Sequence, residues 1–202
     1  MNARLHERDL HADPIRQFAF WFEDAKAKSG LPNPNAMTLC SLSPEGWPEG
    51  RPVLLKQFDE QGFVFYTNFH SEKGRALLAL PRAELVFHWD ALGRQVRIQG
   101  NVAAVSDAEA DAYFASRERD SQIGAWASSQ SEPVDSRRTM DQKFHDVKQK
   151  YENLEIPRPP HWSGFRLLPQ RLEFWQADPH RFHDRFRYHF EAGHWTLRRY
   201  YP

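Results

Sequence analysis

Cysteine is almost absent from this 202-residue chain: Cys40 stands alone. No disulfide can form within the chain and no cysteine-based metal site can assemble, which suits a reducing compartment. Net charge is missing too. Lys and Arg number 27 against 27 Asp and Glu, so global electrostatics offers no pull toward nucleic acid or an anionic membrane. No apolar run approaches the roughly 18 residues of a membrane span. The N-terminal stretch MNARLHERDLHADP lacks the apolar core of a secretion signal. Gly-x-Gly-x-x-Gly, P-loop and Gly-x-Ser-x-Gly motifs are all missing, as are internal repeats and low-complexity tracts. The expectation is a cytoplasmic protein with neither nucleic acid nor membrane as partner.

What is present argues for a folded domain. Apolar residues make up 40% of the chain, with 7 Trp, 6 Tyr and 15 Phe. Residues 1–12 are polar and expected to be mobile; residues 13–202 read as a single domain. Asp13-Pro14 is a helix start, and Ile15, Phe18, Trp21, Phe22 and Ala25 follow a helical stripe up to Ser29-Gly30. Strands are then expected at Ala36–Leu42, Arg51–Phe58, Phe63–Thr67, Ala83–Trp89 and Arg94–Val105. Four more follow at Phe165–Leu168, Arg171–Gln176, Arg181–Phe190 and Trp195–Tyr200. Helices are expected at Ser71–Leu80, from Ser106 through Tyr113 and Arg117, and at about Asp135–Asn153. Many short strands with few helices make the fold mainly β with flanking helices (α+β), an antiparallel barrel with helices outside.

Three stretches could carry chemistry. In YFASRERDSQIGAWASSQS (113–131), Tyr113, Arg117 and Ser121 are spaced i, i+4, i+8. On one continuous helix they share a face and offer a phenol, a guanidinium and a hydroxyl to an oxyanion; the same residues also fit a solvated helix end with Arg117 or Arg119 paired to Asp120. In RFHDRFRYHF (181–190), a strand places Arg181, His183, Arg185, Arg187 and His189 on one face, opposite Phe182, Asp184, Phe186, Tyr188 and Phe190. Such a basic row needs a negative neighbour, either an anionic ligand or acids on adjacent strands. In RPVLLK (51–56), alternation sends Arg51 and Lys56 to opposite faces, and Pro52 marks an edge or bulge. Both charges also fit the solvated ends of a buried strand. Tyr66-Thr67 before Ser71-Glu72-Lys73 adds a helix start that could face phosphate. His180, His183, His189 and His194 invite a metal, but no carboxylate cluster completes a site. Cys40 reads as a core residue. The residues alone thus give a barrel able to hold phosphorylated ligands, without naming a redox reaction.

The order of these stretches, with Phe65-Tyr66-Thr67-Asn68, Arg94-Gln95-Val96 and Glu173-Phe-Trp175-Gln176 between them, resembles the pyridoxine/pyridoxamine 5'-phosphate oxidase family from about Arg8 to Pro202. The resemblance implies a flavin-binding split barrel working as a homodimer, with FMN in a groove between subunits. It implies FMN contacts at Arg51, Val53, Leu54, Leu55, Lys56, Tyr66, Thr67, Lys73, Gln95, Gln130, Ser131, Trp175 and Arg185. It also implies that Lys56, Tyr113, Arg117 and Ser121 hold the substrate phosphate, while Arg181 and His183 lie over the reacting carbon as the catalytic pair. The implied reaction converts pyridoxine or pyridoxamine 5'-phosphate to pyridoxal 5'-phosphate with O2 as acceptor and H2O2 as product; no metal is implied. Two alternatives remain: a related split-barrel flavin oxidase on another substrate, as in phenazine synthesis, or a non-catalytic flavin or pyridoxal-phosphate binding protein. The sequence departs from the family pattern at Glu72, where a basic residue is common, and at Glu118, where proline is. Glu72 is expected to weaken FMN binding unless Arg75 compensates, which the FMN affinity of Glu72→Arg measures.

Overall fold

A computed structural model describes residues 4–202. Helix α1 (Pro14–Lys28) starts where local chemistry places it: the Asp13 carboxylate accepts a hydrogen bond from Ile15 N at 2.8 Å and Pro14 takes the first turn. All five residues of the expected stripe are buried. Phe18 is fully buried, with its ring 4.9–5.0 Å from those of Phe58, Phe63 and Phe87. Helix α1 thereby plugs one face of the sheet.

That sheet holds nine antiparallel strands among the described residues: β1 (Ala36–Leu42), β2 (Pro48–Leu54), β3 (Gln57–Asp59), β4 (Gly62–Asn68), β5 (Arg82–Trp89), β6 (Arg94–Ala104), β7 (Trp162–Gln176), β8 (Asp184–Glu191) and β9 (His194–Tyr200). The order is β2-β1-β5-β6-β7-β4-β3, with β8 and β9 branching from β7. The long strand β7 serves two neighbours along one edge. Its first half pairs with β4, from Asn68↔Trp162 to Phe63↔Leu167, and its second half with β8, from Arg171↔His189 to Gln176↔Asp184. This double pairing splits the barrel. It needs a bend, supplied by a bulge at Gln99/Gly100 where β6 crosses Pro169. A Cβ on Gly100 would lie 2.0 Å from the Leu168 carbonyl oxygen.

Helices α2 (Glu72–Ala79), α3 (Asp107–Ala115), α4 (Arg119–Ala127) and α5 (Arg137–Lys150) flank the sheet. A second apolar cluster of Phe114, Ile123, Tyr151, Ile156 and Trp162 ties α3–α5 to the start of β7.

Several expected elements differ. The strand expected at Arg51–Phe58 is two, because the chain breaks at Leu55 and Lys56. Leu55 N donates to Asn35 O and Lys56 N to Val64 O, both at 2.9 Å. The strands expected at Phe165–Leu168 and Arg171–Gln176 are one, since the bulge absorbs Pro169 without ending the pairing. The strand expected from Arg181 starts at Asp184: Arg181 has φ 60°, a left-handed turn, so Phe182 is 69% exposed and does not lie on an apolar face. The helix with Tyr113 ends at Ala115, short of Arg117. Residues 4–12, expected to be mobile, are held against the sheet. Leu5 is buried, its N donates to Asp184 Oδ2 and its carbonyl accepts from Arg199 Nη2 (both 2.9 Å), and Tyr188 Oη donates to His11 O at 2.6 Å. Residues 1–3 lie outside the described residues. No described helix is long and apolar enough to cross a membrane.

Candidate active site

A cavity of about 760 Å³ opens between β2, β4, α2 and the α3–α4 turn. Three parallel rings build its wall. Tyr66 stacks on Tyr113 at 4.0 Å and on Trp162 at 5.3 Å, with interplanar angles of 13° and 6°. The guanidinium of Arg117 lies 4.7 Å from the Trp162 ring and 5.6 Å from Phe114. Its Nη1 is buried without a hydrogen-bond partner. Burial lowers its pKa below the ordinary arginine value, though an arginine keeps its charge under any physiological condition. Lys73 is depressed too, by burial first and then by the neighbouring charge of Arg51. Lys56 Nζ sits 6.0 Å over the Tyr113 ring. Burial, with smaller contributions from Glu109 and Tyr113, pushes the Tyr66 phenol up to about 12, so it stays a donor at neutral pH. The cavity therefore concentrates cations and donors, one of them unsatisfied, in a partly dry space. Such a donor set is chemically suited to an anion.

Tyr113, Arg117 and Ser121 do meet at this cavity, but not as one helical face. Tyr113 comes from α3, Arg117 from the turn, and Ser121 from the first turn of α4, which follows Glu118 without a side-chain cap. The break at 116–118 rotates Arg117 onto Trp162. Of the other expected residues, Val53, Leu54, Lys56, Tyr66, Thr67, Lys73 and Gln130 also line the cavity, and Thr67 Oγ1 donates to Gln130 Oε1 at 3.4 Å. Sequence reasoning missed Trp162, Asn68, Ser128 and Gly124 here. Trp162 follows a proline-rich connector, and nothing in its local pattern foretells the stack it completes. The departing residue Glu118 is exposed at the rim.

The remaining expected residues lie elsewhere. Leu55 is in the main core. Arg51 turns to Ser41 and Glu49. Ser131 (φ 72°) borders an adjoining apolar hollow of about 560 Å³ with Met140 and Phe144. Arg75 does not line the cavity; its Nη1 donates to Glu132 at 2.9 Å and to His70 O. Gln95, Trp175 and Arg185 stand side by side across β6, β7 and β8. The His183 ring is 4.6 Å from Trp175, and its Nδ1 accepts from Asp178 N at 3.1 Å, while Arg181 N donates to Asp178 O at 3.1 Å. Glu173 organises this patch: its buried carboxylate accepts from Arg185 Nη2 at 2.9 Å and from Arg187 Nε. The acid that the basic row requires is thus on the neighbouring strand. Burial opposes ionisation of Glu173, but the hydrogen bonds from Arg187 and Arg185 outweigh it and hold the carboxyl below the usual value. Cavity and patch occupy opposite ends of β7, a 15-residue strand spanning up to about 50 Å at ~3.3 Å per residue.

Comparison with known proteins follows the same division. Residues 23–151 match the family described as pyridoxamine 5'-phosphate oxidase, and residues 162–202 match the pyridoxine 5'-phosphate oxidase C-terminal dimerisation region. The chain is 52% identical over 198 residues to a protein of Acaryochloris marina named pyridoxine/pyridoxamine 5'-phosphate oxidase, covering 98% of this chain and 90% of that one. It is 53% identical over 194 residues to a protein of the same name from Gluconobacter oxydans, with 96% of each covered. Among solved structures, PhzG from Burkholderia lata 383 in complex with tetrahydrophenazine-1-carboxylic acid superimposes with a TM-score of 0.91 at 26% identity, covering 98% of both chains. The cation-lined cavity, the split barrel and these matches lead to one conclusion: the chain belongs to the pyridoxamine 5'-phosphate oxidase family.

Proposed function

We propose that the protein is an FMN-dependent oxidase converting pyridoxine 5'-phosphate and pyridoxamine 5'-phosphate to pyridoxal 5'-phosphate, with O2 as acceptor and H2O2 as product, acting in the cytoplasm as a homodimer. The observation that carries this is Arg117: a buried guanidinium with an unpartnered Nη1, stacked on Trp162 beside Lys56, Tyr113 and Ser121. This donor set fits a phosphate monoester. The rest of the cavity fits a second, flavin-borne phosphate and its ring: Val53, Leu54, Tyr66, Thr67, Lys73 and Gln130 would hold FMN, with Arg51 at its phosphate. Gln95, Trp175 and Arg185, far along β7, would complete that hold from a second copy, as the dimerisation match at 162–202 supports. Leu55, whose N–H and carbonyl are both bonded to Asn35, would support the cradle from the core.

FMN, when bound, would supply the hydride acceptor and the route to dioxygen. The chain's own residues would bind and orient the substrate. Lys56, Tyr113, Arg117 and Ser121 fix the substrate phosphate and so set the position of the ring. Arg181 and His183 of the second copy cover the reacting carbon and exclude water. His183 Nδ1 accepts from Asp178 N, so the neutral ring carries its hydrogen on Nε2 and would donate a hydrogen bond from that atom to the substrate.

The likeness to PhzG favours a second reading, oxidation of another substrate. Arg117 and Lys56 could pair with a carboxylate as well as with a phosphate; the identity of 52–53% to the two relatives named pyridoxine/pyridoxamine 5'-phosphate oxidase, against 26% to PhzG, ranks that reading second. The purified protein tests both. A yellow spectrum, and pyridoxal phosphate and peroxide formed in equal amounts when pyridoxine 5'-phosphate is added in air, are expected. Bound flavin without turnover supports the second reading, and protein that takes up no FMN overturns both.

A further inference from the structure

Arg51 differs from the other cations around the cavity. Arg117 Nη1 has no partner and Lys73 forms no ion pair among the described residues, yet Arg51 is engaged within the chain through both terminal nitrogens. Its Nη2 donates to Glu49 Oε2 at 2.6 Å, and its Nη1 to Ser41 Oγ at 2.7 Å and to Glu49 O at 3.2 Å. Glu49, Arg51 and Val53 alternate along β2 and so share one face. Arg51 does not itself line the cavity, but the next three residues of β2, Pro52, Val53 and Leu54, do, and the Arg51 charge is felt by Lys73, which lines it too. Arg51 thus stands beside the proposed flavin cradle, turned away to a carboxylate of its own chain. Both side chains are largely sheltered, at 19% and 28% exposed, so the pair is not a freely solvated one.

We infer that Glu49 is a resident counter-anion that competes with the cofactor phosphate for Arg51 and thereby sets the affinity for FMN. This rests on the function proposed above. A phosphate that claims Arg51 must displace the Glu49 carboxylate, and the displaced carboxylate then stays near two negative oxygens. The competition acts only on ligands with a phosphate.

The experiment titrates the flavin-free, full-length protein with FMN and, separately, riboflavin, following quenching of flavin fluorescence. Glu49→Gln keeps the shape and removes the charge. It is expected to tighten FMN by about 5–20-fold, the scale of one charge-assisted hydrogen bond, and to leave riboflavin unchanged. In an Arg51→Gln background the same change is expected to do nothing. Glu49→Ala serves as a second variant and should match Glu49→Gln. Equal FMN affinity in wild type and both Glu49 variants overturns the inference, as does equal tightening of riboflavin, or tightening that persists without Arg51. A wild-type protein that binds neither flavin instead removes the proposed function, and this inference with it.

Discussion

Arg117 shows how one residue can be poorly placed for stability and well placed for binding. A buried guanidinium with a free Nη1 forgoes hydration without full recompense. Substrate phosphate would restore the missing bond. Arg117→Ala is therefore expected to raise KM for pyridoxine 5'-phosphate by roughly 10–100-fold, the worth of one hydrogen bond to a charged group, while Tm holds or rises. A lowered Tm with unchanged KM would assign Arg117 to the scaffold. Glu173 is the opposite case. Its carboxyl is held below the ordinary value of 4.5, so its contribution to stability is complete above that pH and is lost as pH falls through the lower folded-state value. Glu173→Gln, which leaves Arg185 and Arg187 without their carboxylate, is expected to lose roughly 3–5 kcal/mol at pH 7. The gap to wild type should shrink below pH 4.5; urea unfolding at pH 7 and pH 3.5 measures it, and a gap independent of pH would refute the assignment.

At the scale of elements, legibility followed locality. Helix α1 was readable to the residue because its cap, its first-turn proline and its stripe all act within a few positions. The break between α3 and α4 was not. Nothing in Ser116-Arg117-Glu118 forbids a helix, and the break is fixed by packing of Phe114 and Ile123 on Trp162, a residue distant in sequence. So Tyr113, Arg117 and Ser121 were grouped correctly but on a helical face that does not exist. The continuity of β7 was hidden for the same reason: Pro169 looks like a terminator until the bulge at Gln170 of β7, opposite Gln99/Gly100, accommodates it. Because Gly100 has no room for a Cβ against Leu168 O, Gly100→Ala is expected to cost about 1–3 kcal/mol. A fall in Tm of roughly 2–12 °C follows for a domain of this size; a Tm within 1 °C of wild type would mean that the bulge relaxes freely.

For the whole molecule, cavity and C-terminal patch cannot serve one ligand within a single chain if β7 keeps them apart, and a symmetric dimer would provide two shared sites. Arg117→Ala damages the cavity and Arg181→Ala the patch. Assayed with substrate well below the raised KM of Arg117→Ala, each variant alone is expected to show little activity. Co-refolded in equal amounts, they should recover about a quarter of wild-type activity, because half the dimers are mixed and each of these carries one intact site. No recovery would place both halves of the site in the same chain.

The sequence by itself determined the antiparallel strand-rich class, the first helix, the hairpins and the residue types gathered for an anion, because alternation, caps and charge act over short distances. Tertiary structure alone decided that Trp162 stacks under Arg117, that β7 takes two partners along one edge, that Arg51 is held by Glu49 and Ser41, and that Glu173 neutralises the basic row. Each joins residues through packing or cross-strand hydrogen bonds whose register is set by the folded sheet, and no local pattern encodes which distant residue arrives.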